Sequence, residues 1–170
     1  MKILGSVLIL ISGALWGITG SSRLNARCRE LERLERALLH LESEISYGLT
    51  PLPRALMVSG QVAGGQIGQV LSKASELVGR GGGMVPSEAL EDALSQAAAA
   101  LIGPETRGVI LEMASSLGTS GRMEQMALIE ATRERVRSLR ESAAADAARY
   151  GKLYRYLGVL GAVALVLLLT

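Results

Sequence analysis

Chemistry needs a nucleophile, a base and a group that orients them, and this chain offers few candidates for any of the three. His40 is the single histidine, so no metal site can rest on paired imidazoles, and a catalytic dyad has no evident partner. It falls between Leu39 and Leu41, beside an apolar stripe, where a structural or solvated imidazole is expected. Cys28 is the single cysteine, which excludes an intrachain disulfide and a cysteine zinc cluster and fits a reducing compartment. Its expected role is a small apolar residue on a helix face. Glu42 and Glu44 stand two residues apart and point in different directions on a helix, so they form no acid–base couple.

Two clusters are better placed. Glu88, Glu91 and Asp92 share one face at a helix start through their i, i+3, i+4 spacing. The helix dipole stabilises negative charge there, and their functional reading is an acidic docking patch. The run "RERVRSLR", residues 133–140, carries Arg133, Arg137 and Arg140 on an exposed face. It reads as a solvated surface, or as a contact for lipid headgroups or an acidic partner. The glycines of "GQVAGGQIG" follow no strand and precede no Lys-Ser/Thr, so they cradle no phosphate. No catalytic, cofactor-binding or metal-ligating residue is therefore expected, and no enzyme activity.

The elements that must carry these residues are helical. Of 170 residues, 49% are apolar but only 3% aromatic, and there is no Phe. A core must then come largely from Leu, Ala, Val, Ile and Met, and no stretch alternates with a period of two. The net charge of +2, from 18 basic and 16 acidic residues, is too balanced for a nucleic-acid binder, and stacking aromatics are missing.

Residues 3–22, "ILGSVLILISGALWGITGSS", carry no charge and as a helix reach roughly 30 Å, the thickness of a bilayer core. Arg23, Arg27 and Arg29 follow at once, which opposes translocation and argues for an anchor over a cleaved signal. Residues 157–170, "LGVLGAVALVLLLT", form a second apolar segment. It is short for a span, but Tyr154, Arg155 and Tyr156 can cuff it at the interface. The arginines and lysine flanking both segments on their inner sides place the middle of the chain in the cytoplasm and both termini outside. The expected divisions are a membrane helix over 1–22, a cytoplasmic helical bundle over 23–152 and a second membrane helix over 153–170.

Within the bundle, Leu24, Leu31, Leu34, Leu38, Leu41 and Ile45 repeat in three-four spacing, a coiled-coil-like seam over Arg23 to Ser46. Gly48 is expected to cap that helix, with Thr50 as the N-cap of the next and Pro51 at its first position. Short helices follow over 51–59, with "SGQVAGG" as a loop, over 66–79, from Pro86 or Ser87 to about Leu101, and from Pro104 to Leu117. "GTSG" breaks the chain before a long helix that starts at Arg122. Its seam of Ile129, Thr132, Val136, Leu139, Ala143 and Tyr150 is expected to pack antiparallel on the first, with the short helices as a cap.

These segments together resemble the stage III sporulation protein AB family of endospore-forming bacteria. The resemblance runs over essentially the whole chain. It is most specific at "LESEISYGLTPLPRAL", where Glu44, Ile45, Tyr47, Gly48, Thr50, Pro51 and Leu52 stand intact. It recurs at Leu117-Gly118 with Gln125, and at Leu157-Gly158-Val159-Leu160 entering the tail. The family usually carries an acidic residue after the Thr-Pro-Leu and an Asp near position 121, where this chain has Pro53-Arg54 and Gly121. The resemblance implies a role without a reaction: a mother-cell subunit of the channel between mother cell and forespore. It also implies a likeness to the F domain of type II secretion and type IV pilus platform proteins. The implied partners are other channel subunits and a cytosolic secretion-type ATPase, along with membrane lipid, and neither nucleic acid nor a small-molecule substrate. Two other readings are a general secretion or pilus platform subunit, and a coiled-coil signalling protein that pairs in parallel along residues 24–46.

Overall fold

In the computed structural model, two long helices bracket four short ones among the described residues. The structure describes the backbone of residues 2–47, 50–80, 83–97, 101–117 and 121–169; within the long helices, side chains are described for residues 20, 22–46, 121–151 and 160. The order is α1 (Lys2–Tyr47), α2 (Leu52–Ala63), α3 (Gly65–Gly79), α4 (Pro86–Gln96), α5 (Pro104–Ser116) and α6 (Arg122–Leu169). Among the described residues there is no strand. The fold is all-α.

The chain divides into two units, Met1–Cys28 with Ser142–Thr170, and Arg29–Glu141. In the first, Ala143 is buried and the Arg149 guanidinium stands 5.6 Å from the centre of the Tyr150 ring. Among the described residues no helix is long and apolar enough to cross a membrane. The two expected membrane helices, 1–22 and 153–170, fall almost entirely on side chains outside the described residues.

The second unit holds the core. From α1, Leu31, Leu34, Ala37, Leu38 and Leu41 are buried, and from α6 Ile129, Thr132 and Val136. Leu56, Ile67, Leu90, Leu94, Ile102, Met113 and Leu117 from the short helices and their connections complete it. The three-four spacing read from the sequence therefore marks the inward face of α1 at Leu31, Leu34, Leu38 and Leu41, with Leu24 and Ile45 at the ends of the α1 seam half-buried, and of α6 at Ile129, Thr132 and Val136. Leu139 is half-buried and Tyr150 exposed, so that seam thins towards the C-terminus. Leu31, Leu34, Leu38 and Leu41 are covered by helices of their own chain, so these four are not presented to a parallel partner.

Three boundaries differ from the expectation. The stretch "SGQVA" continues α2 to Ala63. Ser59, Gly60 and Ala63 lie on the buried face of α2, where small residues let α3 come close. The turn falls instead at Gly64 and Gly65, whose φ of 63° and 60° suit glycine. Thr50 is not the N-cap of α2, because Pro51 holds an extended ψ of 139° and its carbonyl accepts the first helical bond, from Ala55 N–H at 3.1 Å. Gly48 lies outside the described residues. Finally, α4 stops at Gln96 although "QAAAAL" is rich in good helix formers. Ala97 has turned to ψ 152° and donates instead to Leu94 O at 3.2 Å. Pro86 and Pro104 each occupy the first position of their helices, as the sequence indicates.

Gly108 sits inside α5, and a Cβ built there meets nothing within 4 Å. Gly108→Ala is expected to stabilise the fold by about 0.5–1 kcal/mol through helix propensity and a less flexible unfolded chain. A thermal unfolding curve of the full chain checks it; an unchanged or lowered midpoint would contradict the open environment.

Candidate functional site

The basic run on α6 meets α1. Arg133 Nη1 lies 2.7 Å from Glu42 Oε2, and Arg140 Nη1 lies 2.9 Å from Glu35 Oε2. One heptad back on α1 matches one heptad forward on α6, the register of an antiparallel pair. Two of the three arginines read as a solvated or docking surface are thus partly buried clamps between helices. Arg137 is more exposed, with Nε 3.4 Å from the exposed Glu141. Beside it on α6, Arg135 reaches Glu112 of α5 at 2.9 Å, with both side chains exposed. Exposed pairs of this kind contribute little to stability.

The acidic patch stays on the surface. Glu88, Glu91 and Asp92 are exposed on α4. Asp92 Oδ2 accepts from Gln96 Nε2 at 3.2 Å and its carbonyl accepts from Ser95 Oγ at 2.7 Å, so Asp92 is already engaged within its own helix. Among the described residues no ion pair joins a basic side chain to this patch, and the two predicted clusters are not brought together. Among the described residues, no three His, Cys, Asp or Glu side chains are placed to hold a metal ion.

The family-motif residues have structural positions. Leu117 is buried, Thr50 and Leu52 are half-buried and Pro51 is exposed. Tyr47 ends α1, Gln125 lies in the first turns of α6 with its N–H on Gly121 O at 2.9 Å, and Gly118 is outside the described residues. His40 is half-buried, with Nδ1 3.5 Å from the Oγ of the fully buried Ser59 on α2. It belongs to the α1–α2 contact. Pro53, the departure from the family pattern, has its carbonyl engaged by Ser75 Oγ of α3 at 2.6 Å.

Two residues that the sequence did not single out hold the short helices in place. Glu30 is 5% exposed. Its Oε2 accepts from the N–H of Ile67, in the first turn of α3, at 3.1 Å, and its Oε1 lies 2.5 Å from Arg33 Nη1. A carboxylate from α1 thereby does what an N-cap side chain does, satisfying an orphan donor and complementing the positive end of α3. At the opposite kind of terminus, the Arg107 guanidinium of α5 donates to Leu94 O in the last turn of α4. A cation at a helix C-terminus is again the favourable sign. No local signal marks either residue, since each acts on a different helix.

Between α1 and α6 an open groove of about 610 Å³ is lined by Glu32, Glu35, Arg36, Arg133, Arg137 and Arg140, with Leu39 as its apolar wall. Leu39 also borders a second hollow of about 590 Å³, together with Met123 and Met126. Leu39 is 56% exposed and Met123 79%, an unusual placement for large apolar side chains side by side. Nothing in this arrangement supplies a nucleophile with a base.

Residues 2–170 match the family described as Stage III sporulation protein AB. A protein of that name from Bacillus subtilis (strain 168) is 26% identical over 170 residues, covering 99% of each chain. A solved structure, also described as Stage III sporulation protein AB, shares the fold with a TM-score of 0.62 at 22% identity, over 71% of this chain and 95% of its own.

Proposed function

The chain belongs to the stage III sporulation protein AB family, and we propose that it serves there as a non-enzymatic scaffold subunit of the mother-cell side of a sporulation channel. The observation that carries this reading is the family match over residues 2–170. The charged side chains support it. Glu30, Glu35, Glu42, Arg107, Arg133 and Arg140 tie helices to one another, which is the work of a rigid body that others bind.

In this reading the apolar segments 3–22 and 157–170 anchor the protein in the mother-cell membrane, with the intervening residues on the cytoplasmic side. The bundle docks a cytosolic secretion-type ATPase and other channel subunits. Its helical architecture suits the part played by the F domain in secretion and pilus platforms, a fold-level analogy.

Two measurements test the proposal. Deleting the gene should arrest spore formation, and the full chain supplied in trans should restore it. Full-length protein in detergent should co-purify with the ATPase at micromolar concentration. Normal sporulation without the gene overturns the role, and repeated failure to co-purify overturns the docking.

A further inference from the structure

We propose that the groove between α1 and α6 is the docking site for an acidic amphipathic helix of a protein partner. The proposal deepens the scaffold reading and rests on it. Four guanidiniums line the groove against the carboxylates of Glu32 and Glu35. A guanidinium presents five N–H donors and no acceptor. Arg133 and Arg140 each direct Nη1 to one carboxylate, and Arg137 has Nε 3.4 Å from Glu141. These contacts leave most of the N–H donors of the four arginines for acceptors outside the chain. Asp and Glu side chains are acceptor-only and take such forks two bonds at a time.

The apolar part of the surface sets the rest of the partner's chemistry. Leu39, one helical turn beyond Arg36, walls both the basic groove and the hollow bordered by Met123 and Met126. Methionines adapt to an inserted side chain. A helix with acidic residues along one edge and a Leu-class anchor on its face fills both hollows at once, the helix-in-groove mode. The site is concave, whereas a bilayer surface is flat on this scale and meets only the rim.

The test uses the full-length protein in nanodiscs of phosphatidylcholine alone. The probe is a fluorescent synthetic amphipathic helix of Leu and Glu, compared with the same peptide carrying Lys for Glu, and with vesicles of phosphatidylglycerol and phosphatidylcholine. Anisotropy should show binding of the Glu peptide and little of the Lys peptide. R36E/R137E should weaken the Glu peptide by roughly tenfold or more, and L39D should weaken it also, with circular dichroism unchanged. K73E/R80E, which reverses charges on α3 and at the residue that caps its C-terminus, should leave binding as it is. If R36E/R137E alters the dichroism, R36Q/R137Q takes its place. Equal binding of the two peptides, equal binding by the groove variants, or groove-dependent capture of the anionic vesicles without the Glu peptide overturns the proposal. Each of those results leaves the scaffold role standing, because that role fails only through the deletion result.

Discussion

Glu30→Ala is expected to lower the stability of the Arg29–Glu141 unit more than any other single change to a charged side chain. The carboxylate is 5% exposed and serves two groups at once, the Ile67 N–H of α3 and the Arg33 guanidinium. Removing it leaves a buried backbone donor without its partner and a half-buried cation without its counter-ion. Each such loss is expensive, since neither group regains its full hydration. The sum is about 3 kcal/mol, or a fall in melting temperature of roughly 10 °C for a unit of this size. Thermal circular dichroism of the full chain in detergent measures the fall, and amide exchange at the start of α3 locates it. Glu30→Gln keeps an acceptor oxygen but not the charge, so its loss should be about half as large. By contrast, Glu112→Ala breaks an ion pair exposed at both ends and should cost well under about 1 kcal/mol. A Glu30→Ala protein that melts with the wild type would show that the cross-helix cap contributes nothing.

Gly68→Ala is the second large effect. Alanine at a helix interior normally gains about 1 kcal/mol over glycine, as expected at Gly108. At Gly68 the sign reverses, because a Cβ there would stand 2.5 Å from the carbonyl oxygen of Gly60. The obstacle is backbone and cannot rotate away, so α2 and α3 must separate along their shared face. Separation opens the contact that also buries Ser59, Ala63, Ile67 and Leu71. The net loss is about 2 kcal/mol after the propensity gain. Denaturant unfolding of the Gly68→Ala and Gly108→Ala proteins side by side gives the answer, with midpoints moving in opposite directions. If both midpoints rise, the close approach of α2 and α3 is not tight.

These two positions show why some features were legible in advance and others not. The seam Leu31, Leu34, Leu38 and Leu41 was readable because burial on a helix repeats every three or four residues along the chain itself. Pro86 and Pro104 were readable as helix starts because proline acts on its own φ and on the missing N–H. Gly60 reads as a loop residue for the same local reason: glycine disfavours a helix in isolation, and only the neighbour on α3 makes its small size useful. Thr50 carried the correct side chain for a cap, yet Pro51 occupies the capping conformation one residue later. The long alanine run after Gln96 favours helix by propensity, whereas the chain turns where Leu94 O receives Ala97 and Arg107.

The candidate site divides in the same way. Arg133, Arg137 and Arg140 could be placed on one face by counting, and that face is the one that meets α1. Their partners Glu42 and Glu35 are 91 and 105 residues away in sequence, and nothing local selects them among the chain's carboxylates. Sequence by itself therefore determined the helical class, the inward faces and the two helix starts at proline, since these follow from the conformational preferences of neighbouring residues. Tertiary structure alone decided that Glu30 caps α3, that Gly60 and Gly68 touch, and that two arginines clamp the long helices while Arg36 and Arg137 border an open groove. Those outcomes depend on which surfaces meet after folding, and a pairing between distant residues is stabilised only once packing has brought them together.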